Sequence, residues 1–279
     1  MAVLESEVSW EAREAGENFP VALRVLPRRH REHLHAVYGF ARQVDELGDS
    51  YAGDRVAALI DLRARTHRIW AGGDPGSTLL RRLARTVAEC GLSEEPFQRL
   101  IEANLQDQDV TRYATFADLV GYCRLSADPV GRIVLEVFGV STPERTVLSD
   151  QVCTALQVVE HLQDVAEDRR AGRVYLPQES LAAYAVAEAD LDARSASPQL
   201  RALVRAETGR AEELLLHGSA LVGTLHGSAR LAVAGFVAGG LAVVDALRRV
   251  DGDVLADHAA PAKADVARHA LTLLTRGRA

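Results

Sequence analysis

Two sets of residues could do chemistry by type and spacing. Tyr38, Arg42, Asp45 and Asp49 lie 4, 3 and 4 residues apart. At ~100° per residue they fall within roughly 60° of one another on a helix surface. Gln157, Glu160, Asp164 and Asp168, spaced 3, 4 and 4 apart, form a second such stripe. Like charges at i,i+4 destabilise an isolated helix by ~0.2–0.5 kcal/mol per pair. A cation relieves that repulsion, and hard oxygen donors of this kind suit Mg²⁺, which also takes ligands from substrate phosphates. The competing reading makes both stripes solvated helix faces. Their flanks of Tyr, Phe, Val and Leu, in place of Lys and Ser, weigh against it. Just after the second stripe comes Gly172-Arg173-Val174-Tyr175-Leu176-Pro177. Arg173 has the reach to close over a phosphate there, and Tyr175 to donate a hydrogen bond to it. Taken alone, that segment is a helix-terminating loop with a charged residue.

The elements that must position these residues are helices. Apolar residues recur at helical spacing almost everywhere, with no convincing period-two alternation. Breaks fall at Pro20, Pro27, Gly72–Gly76, Gly91–Pro96, Asp128–Gly131, Gly139–Pro143, Gly172–Pro177, Ser195–Pro198 and Gly252–Asp253. Thr142-Pro143-Glu144 reads as a helix start, with Thr as N-cap and Pro at the first position. No linker, repeat or low-complexity tract divides the 279 residues. The expectation is one all-α domain over 1–279, with a core from about 17 to 255, a tail over 256–279 and a central cavity. The most apolar stretch, Leu231–Leu247, is interrupted by glycines and Asp245. It reads as too short for a membrane span and as a buried helix.

The net charge of −7 excludes a nucleic-acid footprint. An acidic protein that binds a polyanion needs local arginines or metal ions. Cys90, Cys123 and Cys153 have neither disulfide nor zinc spacing and fit a reducing cytosol. Met1–Glu7 lacks the apolar run of a signal peptide. The expected location is cytoplasmic.

Together these segments resemble the squalene/phytoene synthase family. The resemblance rests on the Tyr38–Asp49 stripe, the Gln157–Asp168 stripe and the Gly-Arg-x-Tyr-Leu-Pro segment, and covers about Glu17 to Leu255. Three further stretches resemble the bacterial hydroxysqualene synthase group of hopanoid pathways: Glu17-Asn18-Phe19-Pro20-Val21-Ala22, Tyr122 to Arg132, and Leu231 to Phe236. The resemblance implies an isoprenoid-synthase helical bundle whose acidic stripes face each other across the cavity. It implies Mg²⁺ on Asp45, Asp49, Asp164 and Asp168, with Glu160 as a further carboxylate ligand. Arg42 and Arg173 would hold the diphosphate of a prenyl substrate, with Tyr38 and Tyr175 nearby. Tyr122, Ser126, Ala127 and Gly131 would line the tunnel for the prenyl tail, and Gln157 would orient diphosphate or water. Glu46, Glu160 and Gln163 depart from the residues common in the family.

The chemistry so implied is ionisation of a prenyl diphosphate. In the favoured version presqualene diphosphate ionises, rearranges and is quenched by water, with Glu160, His161 or Tyr38 as proton acceptor; conversion of farnesyl diphosphate to squalene-type products is the related version. One alternative transfers a short prenyl group to an aromatic, carbazole-type acceptor. Another is a non-catalytic binding protein, against which the four intact aspartates count. No Gly-x-Gly-x-x-Gly nucleotide fingerprint is present. The basic run Arg28–Arg31 with its histidines reads as solvated, Trp10 and Trp70 as packing residues, and Asp107 with Asp109 as an exposed pair. A greasy product favours peripheral contact with the inner membrane face, which an acidic surface disfavours. Monomer and homodimer both remain open.

Overall fold

A computed structural model describes residues 26–256 and 259–276; among these the chain is helical, with no β-strand. The expectations for Met1–Glu7, Trp10 and Glu17–Ala22 lie outside the described residues. In chain order the elements are α1 (Arg28–Asp45), a π-helical turn (Glu46–Ser50), α2 (Arg55–Trp70), α3 (Thr78–Cys90), α4 (Glu95–Gln106), α5 (Phe116–Ser126), α6 (Asp128–Val137) and α7 (Pro143–Gln163). There follow α8 (Val165–Arg170), α9 (Gln178–Ala183), a 3₁₀ turn (Glu188–Asp192), α10 (Pro198–Gly218), α11 (Ala220–Thr224), α12 (Gly227–Arg249) and α13 (Lys263–Arg276).

Local chemistry starts these helices. Asp54, Ser77, Thr142 and Ser197 each accept a bond from a backbone N–H in the first turn of α2, α3, α7 and α10. Thr115 and Asp118 form a reciprocal capping box on α5. Gly91 closes α3 in the left-handed region at φ 67°.

The long helix α7 is the pole of the bundle, and its neighbours reach it through glycines. A Cβ on Gly218 of α10 would stand 2.7 Å from Val152 Cγ2 and 2.8 Å from the Leu148 carbonyl. One on Gly240 of α12 would stand 2.5 Å from Leu156 Cδ2, and one on Gly131 of α6 would collide with Ser149 and Cys153. Because the Gly218 contact is to backbone, no rotamer change relieves it. Gly218→Ala is therefore expected to lower stability by about 1–3 kcal/mol, read as a lower urea midpoint. Gly131 is thus a helix-crossing residue against α7. Packing against α7 by itself accounts for glycine at this position.

Three apolar clusters fill the bundle. Phe40, Leu59, Leu83, Phe97, Ile101 and Ile133 join α1–α4 to α6. Leu135, Val152, Leu215, Leu225 and Val237 join α6, α7 and α10–α12. The largest lies beneath the second acidic stripe and includes Tyr113, Tyr122, Val158, Leu162, Tyr175, Leu203 and Val243. The apolar helix α12 runs 23 residues, longer than its glycines led one to expect and long enough by composition to cross a membrane. However, 72% of its most apolar window is buried inside the protein. Helix α13 lies along α12, where His269 and Arg268 reach Asp245 at 2.8 and 2.6 Å.

Near the start of α12, Arg28 and Arg29 are exposed as expected but His30 is half-buried. Its ring meets Phe138 edge-on at 4.8 Å and lies 3.3 Å from Ser228 Oγ. Trp70 packs against Phe97 and donates to the Leu92 carbonyl.

Candidate active site

Neither acidic stripe sits on an unbroken α-helix. Helix α1 ends at Asp45 and widens into the π turn, closed by the Tyr51 N–H on the Glu46 carbonyl at 2.9 Å. Such single turns recur at functional sites. This one turns Asp49 out into solvent while Gly48 stays buried. Helix α7 stops at Gln163; Asp164, at φ −100° and ψ 13°, joins it to α8. The chain therefore bends between Glu160 and Asp168, which the even spacing of that stripe does not reveal.

The two stripes meet through Arg173. Its Nη2 donates to Asp49 Oδ1 at 2.6 Å, joining the π turn to the loop that follows α8. Arg42 Nη1 stands 3.7 Å from Asp45 Oδ2 on the first stripe. On the second, His161 Nδ1 lies 3.7 Å from Asp168 Oδ2, and His161 Nε2 lies 3.3 Å from the Gln157 amide nitrogen. The His161 ring stacks on Tyr175, with centroids 3.7 Å apart and planes 9° from parallel. Tyr113 and Tyr122 continue the aromatic wall at 5.8 and 5.6 Å from Tyr175. Burial pushes all three phenols above their ordinary range, so they stay protonated; Tyr122 donates to Asp107, while Tyr113 accepts from the Gln106 amide at 3.3 Å. A small recess of about 10 Å³, room for roughly one water, lies beside them, lined by His161, Val165, Asp168, Val174, Tyr175, Leu176 and Leu191.

Of the other expected site residues, Tyr38 is buried on α1 and Ala127 between α5 and α6. Ser126 Oγ turns back onto the Tyr122 carbonyl at 3.3 Å. Glu46 and Glu160 are exposed. Gln163 donates to the Ala259 carbonyl at 2.6 Å, tying α7 to the chain leading into α13. At that position the departure from the family is occupied by a structural tie.

The sequence reading missed Asp107. It lies just past α4, is half-buried, and accepts the Tyr122 hydroxyl at 2.7 Å. Burial raises its pKa, opposed by that hydrogen bond and by Arg173. Its Oδ1 is buried without a hydrogen-bond partner, as is Oδ2 of Asp168. Two neighbours support the π turn. Gln108 donates to the Gly48 carbonyl at 3.1 Å, and Asn104 packs on Gly48 so closely that no Cβ fits there. The signal was available as Asn104, Asp107 and Gln108 at i, i+3 and i+4; the pairing of Asp107 with Asp109 obscured it. Tyr122→Phe removes the donor from a half-buried carboxylate, and a loss of about 1–3 kcal/mol is expected in urea unfolding.

A family model described as squalene/phytoene synthase matches residues 12–268. The chain belongs to the squalene/phytoene synthase family. It is an enzyme of that family, whose members use prenyl diphosphate substrates. It is 35% identical over 216 residues to the hydroxysqualene synthase of Zymomonas mobilis, covering 75% of this chain and 71% of that one. The crystal structure of the squalene synthase HpnC from Alicyclobacillus acidocaldarius is similar with a TM-score of 0.80 at 40% identity, over 86% of this chain and 91% of that one. A dehydrosqualene synthase with bound ligand shares the fold, at a TM-score of 0.85 and 24% identity over 95% and 94%. The helical bundle is thus the isoprenoid-synthase fold expected from the sequence.

Proposed function

We propose that this squalene/phytoene synthase ionises presqualene diphosphate with Mg²⁺ bound and lets water quench the rearranged cation, giving hydroxysqualene. The observation that carries this reading is the Arg173–Asp49 pair, which ties the first acidic stripe to the loop after the second, against a wall of stacked aromatic rings. The likeness to a hydroxysqualene synthase supports the choice of substrate.

Asp45, Asp49, Glu160, Asp164 and Asp168 would hold the metal. All are hard oxygen donors, and Asp168 Oδ2 has no hydrogen-bond partner. Among the described residues no three acidic, His or Cys side chains are gathered into a ready-made cage. That openness fits Mg²⁺, which binds through one or two carboxylates and completes its shell with water and substrate phosphates. When bound it supplies Lewis-acid neutralisation of the departing diphosphate.

The chain's own residues do the rest. Arg173 gives up Asp49 for a diphosphate oxygen, and Arg42 offers a second guanidinium fork. The carbon–oxygen bond breaks with its electron pair on the diphosphate. The carbocation is left facing the rings of Tyr113, Tyr122 and Tyr175, whose negative faces stabilise it. Water forms the new carbon–oxygen bond and loses its proton to an acceptor among Glu160, His161 and Tyr38.

The test is a substrate panel: presqualene diphosphate alone, then farnesyl, geranyl and dimethylallyl diphosphates each with an aromatic acceptor, all with Mg²⁺. Hydroxysqualene from the first is expected. No turnover of presqualene diphosphate, with transfer of a short prenyl group to the aromatic, would sink the proposal.

A further inference from the structure

We propose that Glu188 is a positioning residue that fixes the Asp168–Tyr175 half of the diphosphate site from outside it. The inference rests on the functional reading above for its kinetic consequences, but the geometry stands by itself. Glu188 opens the 3₁₀ turn before α10. Its two carboxylate oxygens take the Arg112 fork, Nε at 2.7 Å and Nη2 at 2.9 Å. They also take Arg169 Nη1 at 3.1 Å and the Gln178 amide at 3.4 Å.

Each of these partners lies in, next to or hydrogen-bonded to the segment from Asp168 to Pro177, which carries Asp168, Arg173 and Tyr175. Arg169 is the residue after Asp168 on α8, and forks onto Asp192 with its remaining nitrogens at 2.8 and 2.9 Å. Arg112 donates its third nitrogen, Nη1, to the carbonyls of Gly172 at 2.7 Å and Thr111 at 2.8 Å. Gln178 follows Pro177 directly, and its backbone N–H bonds the Tyr113 carbonyl at 2.9 Å. Within the segment, the Val174 N–H reaches the Thr111 carbonyl at 3.0 Å and the Arg173 N–H reaches the Asp168 carbonyl at 2.8 Å. A single carboxylate thus ties α8 to the residue pair 111–112, and between them hangs the loop that points Arg173 at Asp49. Without Glu188, two guanidinium groups are left facing each other, and their repulsion pushes α8 and the loop apart.

A part-exposed ion cluster of this kind adds little to global stability. Its effect lies in geometry, where displacement of a reacting group by about 1 Å can cost on the order of 100-fold in rate. Partners behind a metal or anion site commonly carry about 10–100-fold of its affinity or activity.

The experiment compares wild type, Glu188→Ala, Glu188→Gln and Arg112→Lys in the full chain. Three quantities are read: amide hydrogen exchange at Gly172–Val174, kcat and KM for presqualene diphosphate with Mg²⁺, and Tm. Glu188→Ala is expected to speed exchange at those amides about tenfold or more and to lower kcat/KM by about 10–100-fold, with Tm within about 4 °C of wild type. Glu188→Gln keeps the shape and an acceptor oxygen and should recover part of the loss; Arg112→Lys loses the fork and should follow Glu188→Ala. Unchanged exchange at Gly172–Val174 in both Glu188→Ala and Arg112→Lys overturns the proposal. So does a loss of kcat/KM that only tracks a large fall in Tm across all three variants. Failure of wild type to turn over any prenyl diphosphate would sink the functional reading alone, because the exchange measurement still decides the clamp.

Discussion

Asp45→Asn and Asp164→Asn each lower turnover of presqualene diphosphate by about 10²–10³-fold, with far-UV circular dichroism unchanged. The two residues lie on different stripes, one at the end of α1 and one at the joint between α7 and α8. An amide keeps the size of the side chain but loses the charge that draws in Mg²⁺. Asn also tolerates the irregular backbone at position 164, so the bend at the joint survives the change. If both stripes serve one metal–diphosphate centre, the double variant loses little beyond either single one, because residues acting as a unit are not additive. Full activity in both single variants would make the stripes structural.

Asp128→Asn stabilises the protein at pH 8 and does so progressively less toward pH 4. Asp128 is only 2% exposed, and Thr154 Oγ1 donates to its Oδ1 at 2.9 Å. Burial, then the charge of Asp150, pushes its carboxyl up to about 7, against the opposing pull of Thr154, Arg132 and Arg124. Arg132 relieves it little, being forked onto Asp150 at 3.0 and 2.7 Å. The unfolded chain releases this proton near pH 4. Between about pH 4 and pH 7 the folded state therefore binds more protons than the unfolded one, and stability falls as pH rises. At about 1.4 kcal/mol per pH unit the accumulated penalty approaches about 4 kcal/mol above pH 7. Asn cannot ionise and keeps the oxygen that Thr154 needs. Urea unfolding of both proteins across pH 4–8 reads the difference directly. Parallel stability curves would mean that Asp128 titrates normally.

Much of this site was legible because helical phase is a local property. Residues 3 and 4 apart share a face whatever surrounds them, so Tyr38, Arg42 and Asp45, and separately Gln157, Glu160 and Asp164, could be grouped from spacing. Departures from regular helix were not legible. The π turn at Glu46–Ser50 is met at Gly48 by Asn104 from α4 and by Gln108 from the turn after it. The bend at Asp164 likewise has no local marker in its stripe. Gly131 shows the limit of reading residue size: a missing side chain suits a tunnel wall and a helix crossing equally well, and the close approach of Ser149 and Cys153 on α7 is visible only in the fold. The Glu188 cluster joins residues 76 and 19 positions apart, and charges at such separations carry no sequence pattern. The altered family positions separate in the same way. Glu46 and Glu160 are exposed, while Gln163 spends its amide on the Ala259 carbonyl.

The most direct test of a water-quenched ionisation is isotopic. Wild-type protein is given presqualene diphosphate and Mg²⁺ in ¹⁸O-labelled water, and the C30 product is weighed by mass spectrometry. One ¹⁸O atom in hydroxysqualene, formed in step with diphosphate release and abolished by chelation of the metal, is the predicted result. A product without the label, or diphosphate release indifferent to the metal, would contradict it.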